Sequence, residues 1–332
     1  MRLIAALMNK NGPLSAFRVL QIRLLAKFLE LCGKTDTGRT AIVWLRRHEY
    51  LNRLLTFLVG YRRTFPTFEQ AATYAKHFQF VGHQHPDNIA HHSAAAERIK
   101  ESDYPVLFHL SAVASNLRNV FDLGGSVGNL FYALASELRF PQDMVWTVYD
   151  LPLMRSEGEK LSAVRHEHRL RFTDSFSAAS GCDFFITSGS LHYFEQPLAE
   201  ILASLPMLPG RVLINRTPCA SEAGAADEDL ITIQDNHSYF VPSIIHSRKK
   251  LIGSLANLGY RLRSSWPVHE RSLWVPLYPD RSFPCYWGFY FVREREDALP
   301  IARRLLDVAS CAITVWLVPE FASLASQYLA CA

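Results

Sequence analysis

A glycine-rich turn stands where a short apolar run passes into a helical pattern. The run Val120–Leu123 is followed by the turn Gly124–Gly128 and then by the helical Leu130–Leu134. Glycines let a ligand approach the backbone closely, and such a turn places the ligand beside backbone amides. As the dinucleotide fingerprint G-x-G-x-x-G the turn fails, because Ser126 and Asn129 stand where the second and third glycines belong. The turn predicts a ligand site, with a tight connection between strand and helix as the alternative.

Polar residues that could do chemistry follow the next apolar runs. Asp150 ends the second run, where a carboxylate can accept both hydroxyls of a ribose or, alternatively, cap a helix. Asp174 follows the third run, where it could face a ligand or, equally, be only a turn residue. His192 follows the fourth run. An imidazole suits a general base near neutral pH, and a pocket-lining histidine is the alternative.

From residue 119 onward, short apolar runs alternate with helical stretches, which predicts a mainly parallel sheet. The five runs are Val120–Leu123, Val145–Tyr149, Leu170–Phe172, Asp183–Thr187 and Val212–Ile214. Two later runs, Tyr260–Leu262 and Tyr286–Val292, follow one another without an intervening helix and should pair antiparallel.

The first 118 residues have a helical pattern instead. Leu14, Phe17, Leu20, Leu24, Phe28 and Leu31 form one stripe at helical spacing. A second run covers Ala41–Val59, and Thr67–Gln70 reads as a capping box that opens a third helix. Short helices are predicted near Asp87–Lys100 and over Pro105–Asn116.

The composition limits the class of protein. The chain has 332 residues, of which 49% are apolar, and a net charge of +4. These values exclude disorder, collagen and coiled coil, and they give no footprint for nucleic acid. The six cysteines lie far apart without a C-x-x-C pair, so we expect reduced thiols in a cytoplasmic protein.

Three further stretches of the sequence bear on targeting, membrane insertion and metal binding. The N-terminus is too short for a signal-peptide core, and Val308–Val318 is too short to span a bilayer, which favours a buried or interface helix. His83, His85, His91 and His92 could offer imidazoles, but no complete metal-ligand spacing accompanies them. We expect no metal and interpret this stretch as a lining of the substrate mouth or a solvated segment.

From the glycine turn onward the sequence resembles the class I S-adenosylmethionine-dependent methyltransferases, in particular small-molecule O-methyltransferases with a helical N-terminal domain. Asp122–Gly128 is similar to the family's Asp-x-Gly-Gly-Gly-x-Gly, with Ser126 replacing the third glycine. Asp150–Pro152, Thr173–Phe176 and Leu191–Tyr193 look like its Asp-Leu-Pro, Gly-Asp-Met-Phe and Leu-His-aromatic motifs. Three later pieces, Ile214–Pro218, Ile231–Gln234 and Tyr286–Phe291, look like a bacterial group known mainly by its assignment as methyltransferases. The match covers roughly residues 119–295, and the N-terminal third matches only in being helical.

The resemblance implies a Rossmann-like, doubly wound α/β fold with a seven-stranded sheet and an antiparallel last strand, preceded by an all-helical domain. It divides the chain into a helical dimerisation or lid domain, 1–118, a cofactor domain, 119–296, and a C-terminal helical extension, 297–332. The implied cofactor is S-adenosyl-L-methionine. The residues implied to bind it are Asp122, Gly124, Gly125, Ser126, Gly128, Asp150, Leu151, Asp174, Ser175, Phe176 and Ser188.

The implied reaction is methyl transfer to a small-molecule acceptor, at a hydroxyl oxygen, by a homodimer. His192 would be the base, with Glu195 and Asp235 as the candidates for an acid that orients it. Acceptor contacts are expected from Tyr193, Arg216 and Gln234, although Arg216 could equally be a surface arginine. The alternatives are an N-methyltransferase that needs no base, a catalytically silent binding protein and an NAD-dependent oxidoreductase.

Overall fold

The computed structural model describes residues 13–60, 62–76, 99–220, 228–235, 240–283 and 285–294. The chain divides into two compact units, Met1–Val292 and Arg293–Ala332, and only Arg293 and Glu294 of the second unit are described. The histidine stretch His83–His92, most of Asp87–Lys100 and the run Val308–Val318 lie outside the described residues. The predicted boundaries at residues 118 and 296 stay predictions.

Eleven strands are present in the described residues. In chain order they are β1 (Thr64–Phe65), β2 (Asn119–Leu123), β3 (Val145–Tyr149), β4 (Leu170–Thr173), β5 (Phe184–Ser188), β6 (Arg211–Thr217), β7 (Cys219–Ala220), β8 (Leu230–Asp235), β9 (Phe240–Ser247), β10 (Tyr260–Val268) and β11 (Tyr286–Arg293). The nine α-helices of the same residues are α1 (Pro13–Gly33), α2 (Asp36–Arg47), α3 (Glu49–Val59), α4 (Phe68–Ala75), α5 (Tyr104–Ser111), α6 (Asn129–Ala135), α7 (Pro152–Val164), α8 (Leu198–Ala203) and α9 (Arg248–Ala256).

Seven of the strands form the predicted sheet, in the spatial order β10-β11-β6-β5-β2-β3-β4. The five strands from β6 to β4 run parallel to their neighbours, and β11 joins β6 antiparallel. The strand order reverses beside β2, and ligands of open parallel sheets bind at such a point, outside the carboxyl ends of the strands. The predicted α/β fold class is confirmed.

The alternation of side chains along the central strands builds a core on each face of this sheet. Val120 and Phe184 pack on one side with residues of α5, α6 and α7. Phe121 and Phe185 pack on the other side with residues of α8 and α9. Both faces are covered, so the strand sequences are almost continuously apolar, as parallel strands require.

A second, smaller sheet was not predicted. Its order is β1-β8-β9-β7, with β8 antiparallel to both β1 and β9 and β7 parallel to β9. On one side Ile233 and Phe240 pack against Val19 and Ile22 of α1 and against Phe65. The other side carries Gln234, whose Oε1 accepts a hydrogen bond from the Tyr193 hydroxyl at 3.0 Å. The small sheet thus separates the N-terminal helices from the segment that contains His192.

The N-terminal region is mainly helical as predicted, but it is not all-helical, because it contains β1. Two details of its helices also differ from expectation. The run Ala41–Val59 is broken at His48, which has an extended backbone and joins α2 to α3. The stripe from Phe17 to Leu31 lies on the exposed face of α1, and a second apolar stripe, with Ile22 and Ala26 at its centre, faces the core. Of the capping box predicted at Thr67–Gln70, the Thr67 half is confirmed, because its Oγ1 accepts from the Gln70 amide at 3.2 Å.

No helix in the described part of the chain is long and apolar enough to cross a membrane.

Candidate functional site

The glycine turn joins the end of β2 to the start of α6 at the carboxyl edge of the large sheet. Gly124 and Gly128 have φ values of +72° and +91°, which favour glycine. The Gly124 amide donates to the carbonyl of Tyr149 at 2.7 Å, which ties the turn to the end of β3. A Cβ on Gly124 would lie 2.3 Å from the Ser190 Cβ, so the turn passes directly over the segment after β5.

The carboxyl group of Asp122 packs against Gly125, the second residue of the turn. It is 1% exposed, and a Cβ on Gly125 would approach its Oδ2 to 2.4 Å. The indole Nε1 of Trp146 donates to Oδ2 at 3.3 Å. Burial raises the pKa of Asp122 to about 7; the Trp146 hydrogen bond lowers the pKa, and the neighbouring Asp150 charge raises it. Asp122 is therefore a buried acid that supports the turn from below.

Asp150 connects the turn to the end of β3. Its Oδ2 accepts from the Ser126 amide and its Oδ1 accepts from the Leu151 amide, both at 2.7 Å. Burial raises the pKa of Asp150, while these two amides and Arg155 lower it. Ser126 has a φ of +58°, a conformation that is strained for a residue with a side chain. The backbone strain at Ser126 thus accompanies the alignment of its amide with Asp150.

The segment after β4 lies beside the same edge. Phe176 stacks on Tyr149 with ring centroids 4.5 Å apart, and the Ser175 hydroxyl accepts from the Ser177 amide. Asp174 is largely exposed and forms an ion pair with Arg155 at 2.9 Å. Since Arg155 also acts on Asp150, the two acidic residues share a cation.

His192 lies in a short helical turn, Leu191–Tyr193, that follows β5, and it is 2% exposed. Its ring lies 4.0 Å from the Tyr193 ring and meets Tyr286 edge to face at 5.9 Å. Burial raises the pKa of Tyr286 to about 12, so this phenol stays protonated at neutral pH. The imidazole is held among aromatic rings at the carboxyl edge of the sheet.

The two candidates for an orienting acid lie elsewhere. Glu195 is exposed. Asp235 accepts from Arg23 and Arg62, each at 3.0 Å, so its carboxylate joins the small sheet to α1. Gln234, the neighbour of Asp235, is the residue that reaches the His192 segment, through Tyr193.

Arg216, expected either on an acceptor or on the surface, is buried in an ion pair. Its Nη1 lies 2.9 Å from the Asp103 Oδ1, and its Nη2 donates to the Ser188 Oγ at 2.9 Å. The neighbouring Asn215 donates to the Ser102 carbonyl at 2.9 Å and to the Ser188 Oγ at 3.0 Å. Arg216 itself has a φ of +53°. These bonds fasten the segment before α5 to the ends of β5 and β6.

Two of these site residues carried no sequence signal. Ser102 and Asp103 are almost fully buried, yet they lie far along the chain from Arg216 and belong to no motif. Trp146, which donates to Asp122, is marked in the sequence only as part of an apolar strand. No group of residues able to hold a metal ion is present in the described ranges.

Comparisons with known proteins give structural similarity only. No family model and no curated protein matches the chain. Among solved structures it is similar to the N-terminal domain of EvdMO1 with S-adenosylhomocysteine bound, at 11% identity over 59% of this chain and 83% of that one, with a TM-score of 0.42.

Two other solved structures show likeness at the same level. A Burkholderia thailandensis 1,6-didemethyltoxoflavin-N1-methyltransferase has 16% identity over 70% of this chain and 92% of that one, with a TM-score of 0.42. An S-adenosylmethionine-dependent methyltransferase from Mesorhizobium loti has 14% identity over 58% and 98%, with a TM-score of 0.39. We therefore base the function on the chain's own residues.

Proposed function

We propose that the protein is an S-adenosylmethionine-dependent methyltransferase that acts on a small-molecule acceptor at a hydroxyl oxygen. The observation that carries this proposal is the Asp150 carboxylate, fixed at the edge of the sheet by the amides of Ser126 and Leu151. Each oxygen of the carboxylate accepts one of these amides, and a carboxylate oxygen has two lone pairs. Both oxygens can therefore also accept a ribose hydroxyl.

The glycine turn fits a cofactor that lies against backbone. A Cβ at Gly124 would clash with Ser190 and one at Gly125 with Asp122, so these glycines let the turn pack closely on the residues beneath it. The turn then carries no side chain at these two positions that could keep a cofactor away from its backbone. Leu151, Asp174, Ser175, Phe176 and Ser188 surround the same edge and complete the proposed cofactor contacts. When bound, S-adenosylmethionine supplies an electrophilic methyl group.

We assign the proton transfer to His192. A hydroxyl acceptor must lose a proton as its oxygen attacks, and the buried imidazole of His192, packed against Tyr193 and Tyr286, is the base that we propose for it. Tyr193 and Gln234, joined by a hydrogen bond, are proposed to contact the acceptor. For Arg216 we propose an acceptor contact made through its Nε, since Ser102, Asp103 and Ser188 accept from both of its Nη groups.

The test is a calorimetric titration with S-adenosylhomocysteine. We expect the parent to bind, Asp150→Ala to lose binding, and His192→Gln to bind as the parent does, because Asp150 is assigned to the cofactor and His192 to the acceptor. Once an acceptor is found, His192→Gln should turn over about 10²–10⁴-fold more slowly, the usual contribution of a general base.

Other outcomes select the alternatives. Binding of NAD but not of S-adenosylhomocysteine would replace the proposal with an oxidoreductase. An unchanged rate in His192→Gln would point to an acceptor that needs no deprotonation, such as a neutral amine. Failure of the folded parent to bind S-adenosylhomocysteine would indicate a catalytically silent relative.

We also propose a cytoplasmic homodimer that works on small molecules rather than on nucleic acid. The four described cysteines, Cys32, Cys182, Cys219 and Cys285, are free thiols, as expected from their spacing. The exposed apolar face of α1 supports the dimer, because patches of this kind mark contact surfaces.

A further inference from the structure

A cavity of about 550 Å³ lies between β1 and the first turns of α4. It is open to solvent and is lined by Arg63, Phe65 and Tyr74 together with the exposed Glu69, Gln70 and Thr73 of α4. Phe65 and Tyr74 also pack with the cluster around Ile22, Ile233 and Phe240, on the helical side of the small sheet. The residues assigned to methyl transfer do not line this cavity.

The guanidinium of Arg63 is held in place by aromatic rings. Its Cζ lies 4.8 Å from the centroid of the Phe65 ring and 4.4 Å from that of Tyr74. The backbone is fixed as well, because the Arg63 carbonyl accepts from the Thr232 hydroxyl at 2.9 Å. A guanidinium stacked in this way is pre-organised, so little side-chain entropy remains to be lost when an anion binds.

The same guanidinium has no anionic partner among the described residues. Its Nε is buried without a hydrogen-bond acceptor. Nearby arginines differ: Arg23 and Arg62 both bind Asp235, and Arg46 binds Asp280. Because that Nε has no exposed surface, a ligand in the pocket would be bound by the two Nη groups of Arg63, for which the described residues supply no acceptor.

We propose that this cavity binds a small monocarboxylate with a flat apolar body. The two oxygens of the ligand carboxylate would accept hydrogen bonds from the guanidinium of Arg63, and the apolar body would lie beside Phe65 and Tyr74. Glu69 lines the same pocket, and its carboxylate disfavours a ligand with two or more negative charges. The site is independent of the proposed methyl transfer.

The probe is benzoate, and its binding is measured by ligand-observed NMR titration at constant ionic strength and pH 7. We expect saturable binding of benzoate, and binding of its neutral isostere benzamide at least about tenfold more weakly. Arg63→Gln should lose at least about tenfold in benzoate affinity. Arg47→Gln, which removes an exposed arginine elsewhere, should leave the affinity unchanged.

A second variant separates the cavity from the charge. Thr73→Trp keeps Arg63 but fills the space, so it should abolish benzoate binding while retaining the parent's circular dichroism spectrum. Equal affinity in Arg63→Gln, or equal affinity for benzamide, would overturn the proposal. Tighter binding of inorganic phosphate than of benzoate would overturn the ligand class. The affinity for S-adenosylhomocysteine should be the same in the parent and both variants.

Discussion

The acid beneath the glycine turn gives the site a pH dependence at the scale of a single residue. Asp122 is buried, its carboxyl group accepts a hydrogen bond from the Trp146 N–H, and burial raises its pKa to about 7. The usual pKa of an aspartate is near 4. Between these two values the unfolded chain has lost the proton, whereas the folded chain keeps it.

This difference predicts that Asp122 lowers stability as the pH rises. The unfolded state binds fewer protons than the folded state between about pH 4 and 7, so the free energy of unfolding falls across that range and then levels off. A shift of roughly three pKa units corresponds to about 4 kcal/mol. Asp122→Asn cannot ionise. The free energy of unfolding of the variant minus that of the parent should therefore be up to a few kcal/mol larger at pH 8 than at pH 5.

Urea unfolding of the parent and of Asp122→Asn at both pH values measures this difference. Other titrating groups contribute equally to both proteins and cancel in the comparison. Parallel pH dependences for the parent and the variant would contradict the assignment of a raised pKa to Asp122.

The sequence predicted some of the site residues from their place in a motif, and missed those whose partners are distant. The turn from Asp122 to Gly128 and the strand-end Asp150 follow apolar runs directly and are marked by glycines or by a proline. The structure brings Ser126 and Asp150 into contact. Asp103 has no such marker. Its role depends on Arg216, which lies on another strand end, and a pairing of that range is decided only by the folded topology.

The element that joins β2 to α6 yields a prediction about its backbone. A methyl group at Gly125 would lie within 2.6 Å of the Asp122 Cγ and 2.4 Å of its Oδ2. Because Asp122 is packed against Trp146, it cannot move aside freely. Gly125→Ala should therefore destabilise the fold by about 1–3 kcal/mol, as overpacking usually does, and should weaken S-adenosylhomocysteine binding.

A matched glycine substitution and a double mutant test the cause. Gly253 lies in α9 with no atom within 4 Å of an added Cβ, so Gly253→Ala should stabilise the helix by about 0.5–1 kcal/mol. The pair Asp122→Ala and Gly125→Ala should be less destabilising than the sum of the single variants, measured by urea unfolding. Strict additivity would show that the two side chains do not collide.

The strands of the large sheet were predictable, and those of the small sheet were not, for a physical reason. β2 and β5 are buried on both faces, whereas every second side chain of β3 is only partly buried; all three read as apolar runs bounded by turns. β8 is only half buried, and its partner β1 is a two-residue strand far earlier in the chain. The β-branched Ile231, Thr232 and Ile233 suit a strand, but nothing in the sequence near β8 indicates its pairing with β1.

At the scale of the whole molecule, α1 has two apolar faces, and the fold covers one of them. The covered face includes Ile22 and Ala26, whereas the side chains of the exposed stripe are 52–63% exposed. The exposed stripe is Phe17, Leu20, Leu24, Phe28 and Leu31. Helical periodicity detects both stripes equally, so the sequence could not decide which one is buried.

The spacing of the exposed stripe suits a second copy of the same helix. Its steps of three, four, four and three residues are symmetric about Leu24. An antiparallel pair with a two-fold axis at Leu24 would place Phe17 against the other copy's Leu31, and Leu20 against its Phe28. Each large ring would meet a smaller side chain, which is the self-complementarity that a two-fold interface requires.

This arrangement predicts a dimer that one charge disrupts. Leu24→Glu should be a monomer by light scattering at micromolar concentration, because it would bring two carboxylates together on the axis. Thr37→Glu adds the same charge at an exposed site on α2 and should remain dimeric. Under oxidising conditions Leu24→Cys should cross-link to its own copy, whereas Leu20→Cys should cross-link efficiently only when mixed with Phe28→Cys. A monomeric parent, or a Leu24→Glu variant with the parent's mass, would exclude α1 as the interface and leave its second apolar face to another partner.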